Sequence, residues 1–167
     1  NSKNPDLAQA LNNLAERYVD EHKFGDAEAL YDRVLLIRTS AFGKNNADVA
    51  ASRRSLGRLY MERGDFSKAD AQIKEAQSIF LKIKNLPELA DTLDLLAELK
   101  SRQERFDEAA KAYEQALQIR SKEKTRDQKA IKYEKSKLQA IQAIQSKIKV
   151  IGKVEESKQN RPTKPRK

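Results

Sequence analysis

The chain has 167 residues, with 34 Lys and Arg against 25 Asp and Glu, no cysteine, five glycines and four prolines. That length fits one domain, and the scarcity of glycine, proline and aromatics argues for an all-helical protein with small core residues and against a β-sandwich. The missing cysteine excludes a disulfide framework and a thiolate site, and no apolar run is long enough to cross a membrane as a helix. No charged-then-apolar leader opens the chain, and it starts without Met, as a fragment or a processed form would. Charge is unevenly placed: residues 1–120 carry 19 basic and 20 acidic groups, and residues 121–167 carry 15 and 5. A near-neutral body thus precedes a strongly basic end.

In chain order, the first predicted helix opens at Asn4-Pro5. Asn can accept from free N–H groups, and Pro is pre-set for the first helical position. Leu7, Ala8, Leu11, Leu14, Ala15 and Tyr18 then recur at the spacing of one buried stripe. A second helix is expected over about residues 26–42, with Ala27, Leu30, Tyr31, Val34 and Ile37 inward, and Gly43 suits its end. The whole pattern then repeats. Ala8, Ala50 and Ala90, Leu14, Leu56 and Leu96, and Phe24, Phe66 and Phe106 fall 42 and then 40 positions apart. So do Ala27, Ala69 and Ala109, and Ile37, Ile79 and Ile119. A fixed period of this length marks a solenoid of helical hairpins, with units over 5–46, 47–86 and 87–122. Small residues at Ala15, Gly57 and Ala97, and at Ala27, Ala69 and Ala109, allow the two helices of a unit to approach to about 8–10 Å. Lys100 stands where the first two units have Tyr18 and Tyr60, so looser packing is expected there. Arg53 stands where the others have Leu11 and Leu93.

After the units, a helix is expected over 125–151. Thr125 and Gln128 form a candidate capping box and Gly152 a candidate stop. Ala130, Ile131, Leu138, Ile141, Ile144, Ile148 and Ile151 make its apolar stripe, with Lys129, Lys132, Lys135 and Lys147 opposite. Such a helix can cap the third unit, or can bind a partner or a second copy of the chain. A membrane-surface role is weaker, because neither Trp nor Phe lies on the apolar face. Residues 152–167 are basic and poor in apolar groups, and are expected to be disordered.

Catalytic constellations are absent from this reading. His22 aligns with Gly64 and Glu104 between the helices of a unit, where a left-handed turn residue is expected, and no partnered nucleophile accompanies it. No metal-ligand spacing, glycine-rich nucleotide loop or cofactor motif is present, so the sequence implies no enzyme activity, no metal and no cofactor.

The alternation of small and large residues resembles the tetratricopeptide repeat (TPR). The residues that carry the likeness are Leu11, Leu14, Ala15, Tyr18, Ala27, Tyr31 and Val34 in the first unit. Leu56, Gly57, Tyr60, Ala69, Ile73 and Ala76 follow in the second, and Leu93, Leu96, Ala97, Ala109, Tyr113 and Ala116 in the third. The 42-residue spacing and the string ALNNLAERY resemble the long variant found in kinesin light chains. The resemblance covers residues 5–122 and implies a right-handed αα-superhelix, non-catalytic, serving as a protein-binding scaffold. It assigns the concave face to first-helix side chains: Gln9, Asn12, Asn13 and Glu16, then Ala51, Arg54, Ser55 and Arg58, then Asp91, Asp94, Leu95 and Glu98. Asn13 matches the family asparagine that hydrogen-bonds the backbone of an extended ligand. The Lys/Asn/Arg set that grips a C-terminal carboxylate in chaperone-binding members is not reproduced, so a carboxylate-tail ligand is not implied.

Two readings of the groove charges stay open. Arg54 and Arg58 pair with Glu16, Asp91, Asp94 and Glu98 across neighbouring helices, or they receive a mixed-charge peptide. The implied partner is thus a protein or peptide. Alternatives are self-assembly through the C-terminal helix, within a homo-oligomer or a longer array, and anionic-surface binding by the basic end. No aromatics interleave with that basic end, which argues against reading nucleic acid.

Overall fold

Small residues at fixed intervals let the helices pack in pairs, and the pairs stack. The computed structural model describes residues 4–122 and 128–159, which form seven helices and, among the described residues, no strand. The helices are α1 (Pro5–Asp20), α2 (Phe24–Phe42), α3 (Ala47–Arg63), α4 (Phe66–Lys82), α5 (Leu86–Arg102), α6 (Phe106–Lys122) and α7 (Gln128–Gln159). α1 and α2, α3 and α4, and α5 and α6 are the three hairpins, and each hairpin stacks on the next through α2 with α3 and α4 with α5. α7 continues the stack on α6. α1, α3 and α5 also touch one another and form one layer.

Local chemistry sets the boundaries. Asn4 caps α1 by accepting from Asp6 N at 2.9 Å, and Asn46 caps α3 by accepting from Asp48 N at 2.7 Å. The hairpin turns are copies of one another. Lys23 N donates to Tyr18 O, Asp65 N to Tyr60 O and Arg105 N to Lys100 O, at 2.8, 2.8 and 2.9 Å. Such closure needs a left-handed residue, supplied by His22, Gly64 and Glu104 at φ 58°, 89° and 60°. His22 is therefore a turn residue. Gly43, expected to be left-handed, has φ 81° with ψ 168°, a pair of angles that glycine tolerates and side chains do not.

Within each hairpin, Ala15, Ala27, Ala69, Ala97 and Ala109 are wholly closed to solvent. At Gly57 a Cβ would sit 2.6 Å from Ile73 Cγ1, so the second unit has room for no side chain at this crossing. The expected loose packing at Lys100 is not found. Lys100 is 2% exposed, and its Nζ donates to Asp70 Oδ1 on the preceding unit. One unit earlier the same two positions hold Tyr60 and Glu28, joined by a hydrogen bond of 2.7 Å. The interface contact is kept while its chemistry changes from phenol–carboxylate to ammonium–carboxylate.

α7 differs from expectation at its end. It runs through Gly152 to Gln159 and takes in residues expected to be disordered. A lone glycine inside a helix costs only about 1 kcal/mol relative to alanine, and no proline follows until Pro162. Thr125, the expected cap, and residues 160–167 lie outside the described residues. The inner face of α7 places Leu138 and Ile141 against Ala97, Ala109, Ala112 and Tyr113.

Burying an ammonium is tolerated only while its counter-charge remains. Burial pushes the Asp70 carboxyl up, but hydrogen bonds from Lys100 and Lys74 outweigh it and hold the group below its usual range. Asp70→Ala should therefore cost about 3 kcal/mol in urea unfolding, and adding Lys100→Met should restore most of it. Equal stability of Asp70→Ala and the parent chain would contradict a buried, paired Lys100.

Candidate functional site

The layer of first helices turns one stripe of side chains to the same side. Two adjoining clefts open there. The first, about 370 Å³, is lined by Glu16, Val19, Asp20, Tyr31, Arg54, Ser55, Arg58 and Leu59. The second, about 290 Å³, is lined by Arg54, Arg58, Asp91, Asp94, Leu95, Glu98 and Tyr133. Arg54 and Arg58 belong to both and stand at the middle of the groove. Eight of the twelve expected groove residues are thus brought together: Glu16, Arg54, Ser55, Arg58, Asp91, Asp94, Leu95 and Glu98.

Gln9, Asn12, Asn13 and Ala51 are not among the lining side chains. Asn12 is 8% exposed and donates to Glu16 Oε1 at 2.9 Å. Asn13 is exposed and accepts from Gln9 Nε2 at 2.9 Å. Asn12 fixes the direction of the Glu16 carboxylate.

The charges do not pair across the groove with one another. Arg54 turns away: its Nη1 lies 2.7 Å from the Glu88 carboxylate and donates to Glu88 O at 3.2 Å, and its guanidinium lies over the Phe80 ring at 5.6 Å. Glu98 pairs with Arg102 at 2.9 Å. Asp91 and Asp94 both pair with Arg120, which rises from the end of α6. Arg58 is exposed and, among the described residues, holds no ion pair. Tyr31 closes the floor beside it, and burial, reinforced by Glu16, pushes its phenol up to about 12.

Arg120 is 7% exposed and also contacts Glu134 of α7, which is wholly buried. Three carboxylates thus surround one guanidinium. The imbalance falls on Asp94: burial raises its carboxyl to about 6, Arg120 opposes the rise and Asp91 adds to it. Next to this cluster, Tyr133 of α7 walls the second cleft.

Tyr31, Val19, Asp20, Leu59 and Tyr133 were not expected in the groove. Tyr133 had a readable signal. Gln9, Ala51 and Asp91 occupy one position in successive units, and a further step of 42 reaches Tyr133. The other four sit on turns of α1 and α3 next to the stripe, or on a second helix, where position in the repeat alone does not place them.

A tetratricopeptide repeat family model matches residues 6–82, and a second model, SHNi-TPR, matches residues 90–127. Over these residues the chain is built of tetratricopeptide repeats. A TPR repeat-containing protein of Dictyostelium discoideum is 36% identical over 101 residues, which is 58% of this chain and 6% of that protein. The chain therefore spans a small part of the length of that relative. The crystal structure of BtubC (BKLC) from P. vanneervenii has a TM-score of 0.75 at 19% identity, covering 98% of this chain and 69% of that one. A kinesin-light-chain candidate from Podosopora anserina, with nearly identical TPR-like repeats, has a TM-score of 0.74 at 17% identity, covering 97% and 80%. At such identities these likenesses establish the fold: a right-handed TPR solenoid of three hairpins with a C-terminal helix stacked on the last.

TPR proteins generally act as protein–protein interaction scaffolds, and the family and fold are typically non-catalytic. Among the described residues no helix is long and apolar enough to cross a membrane, and no group of side chains is arranged to hold a metal ion.

The Asp94 carboxyl gives the TPR body a testable pH signature. Its native value lies above its unfolded value, so between about pH 4 and pH 6 the native state holds the extra proton. Stability from this group is present at low pH and is lost as pH rises through about 6. Asp94→Asn should be more stable than the parent at pH 7 by on the order of 1–3 kcal/mol, and the gap should close near pH 4. A gap that is constant with pH in parallel denaturation series would refute the raised value.

Proposed function

We propose that this chain is a non-catalytic interaction module that holds an extended, mixed-charge segment of a partner protein in the groove of α1, α3 and α5. The observation that carries this reading is the central position of Arg58. It is exposed, it belongs to both clefts, and it has no counter-charge among the described residues. Of the neighbouring groove charges, Glu16 is held by Asn12, Arg54 by Glu88, Asp91 and Asp94 by Arg120, and Glu98 by Arg102, while Asp20 lines the first cleft with no ion pair among the described residues. An acidic group of the ligand completes Arg58 without breaking any existing pair.

On the α5 side the sign reverses. Asp91, Asp94 and Glu98 together exceed the charge of Arg120, and the Tyr133 ring stands beside them. A basic ligand group fits there, held by carboxylates and by the face of the ring. The ligand then runs along the groove with its acid near Arg58 and its base near Asp94 and Glu98. Arg54 orients this surface from behind, because its guanidinium is already bound to Glu88 and stacked on Phe80.

A displayed library of random peptides, panned on the whole chain, tests this reading. Retained peptides should carry an acidic and a basic residue separated along the sequence. Arg58→Glu should weaken them by about tenfold or more with little change in melting temperature, since its side chain is exposed and holds no ion pair among the described residues. Retention that is indifferent to Arg58→Glu, or no retained peptide at all, removes the assignment.

A further inference from the structure

The repeat register does not stop at α6. Arg38, at the end of α2, donates through Nη2 to Gln9 of its own unit at 2.9 Å, and through Nη1 to Ser52 Oγ of the next unit at 2.8 Å. Arg120, at the same position of α6, contacts Asp91 of its own unit and Glu134 of α7. Asp91 is the counterpart of Gln9, and Glu134 is the counterpart of Ser52. α7 is therefore seated as the first helix of a fourth unit, fixed by the same arginine device.

Its outward face departs from the three before it. First helices meet their second helix through Ala8, Ala50 and Ala90, and through Ala15, Gly57 and Ala97, all buried. α7 carries Lys132 and Gln139 at these places, and Lys135 where Leu11, Arg53 and Leu93 stand. All three are exposed, and Lys132 and Lys135 hold no ion pair among the described residues. Gln128, Ser136 and Ile131 complete the lining of a cleft of about 450 Å³ along this side. An apolar helix seated here would bury two unpaired ammonium groups, which rules it out energetically.

The second unit shows what chemistry the face accepts. Arg53, in the place of Lys135, pairs with Glu75 of α4 at 2.6 Å and donates to Gln72 at 3.0 Å. A cation at this position is satisfied by a carboxylate on the helix packed against it. We infer that the outward face of α7 docks an acidic helical segment of a partner protein, its carboxylates meeting Lys132 and Lys135 as Glu75 meets Arg53. The surface is separate from the groove, so the inference stands or falls apart from the groove reading.

The test uses the full chain and a labelled, end-blocked helical peptide rich in Glu and Ala, followed by fluorescence anisotropy at low ionic strength. Lys132→Glu with Lys135→Glu should weaken binding by about tenfold or more. Lys164→Glu with Lys167→Glu, in the basic end, should change it by less than about twofold, and raising the salt should weaken it. Lys132→Gln with Lys135→Gln gives the same comparison if circular dichroism shows that the double reversal loses helix. Four results overturn the inference: binding unaffected by the α7 variants, equal loss from the terminal variants, equal binding of a Gln-for-Glu peptide, or phosphatidylserine vesicles or duplex DNA displacing the peptide at matched charge. The last would mark adhesion to any polyanion.

Discussion

The architecture depends on side chains that are not there. Two helices can close to van der Waals contact along most of their length only if the crossing point holds nothing larger than a methyl group. Ala15 with Ala27, Gly57 with Ala69, and Ala97 with Ala109 meet this condition in each hairpin, and all are buried. Around them Leu56, Leu59, Tyr31, Ile73, Leu95 and Leu99 interlock across hairpins into a continuous core. Each unit by itself would bury too little, so stability is shared with its neighbours.

Polar contacts between units are built on that frame and tolerate more variation. Tyr60 with Glu28 and Lys100 with Asp70 are two chemical solutions at one geometric position. Arg38 with Ser52 and Arg120 with Glu134 are two versions of a second device, one neutral and one ionic. In the middle unit Phe80 stands in the arginine's place, and Arg54 lies over its ring, so a cation reaches the same region from another helix. Exchanging partners in this way leaves the spacing of the helices untouched. It does redistribute charge, and so shapes the electrostatics of the groove.

Most of the fold was legible because steric requirements leave a periodic trace: alanine, glycine and leucine return in register, and so do the turn positions His22, Gly64 and Glu104. The end of α7 was not legible. Gly152 reads as a stop only if the chain beyond it cannot continue a helix, and residues 153–159 can. That these side chains share one face was legible, since eight of the twelve line the two clefts. Their partners were not. Arg120 lies on another helix from Asp91 and Asp94, and Arg54 bonds forward to Glu88. A list drawn from one helical face says which charges share a surface, and leaves open which of them are already neutralised by groups rising from behind it.

α7 is 32 residues long where α6 has 17. The side chain of Gln145 meets Asp107 in the first turn of α6 at 2.6 Å, so residues 146–159 run about 21 Å past the level where α6 begins. Ile148 and Lys149 still line a cleft with Glu104, Arg105 and Phe106, so the helix is held past its midpoint. A sideways force on its far end acts as a torque on Leu138, Ile141 and the Glu134–Arg120 contact. The second and third hairpins, gripped by neighbours on both sides, share none of that leverage. Mechanically, this molecule has a stiff body and one peelable member, and the contact that peeling would strain is the one that also holds Asp91 and Asp94 in the groove.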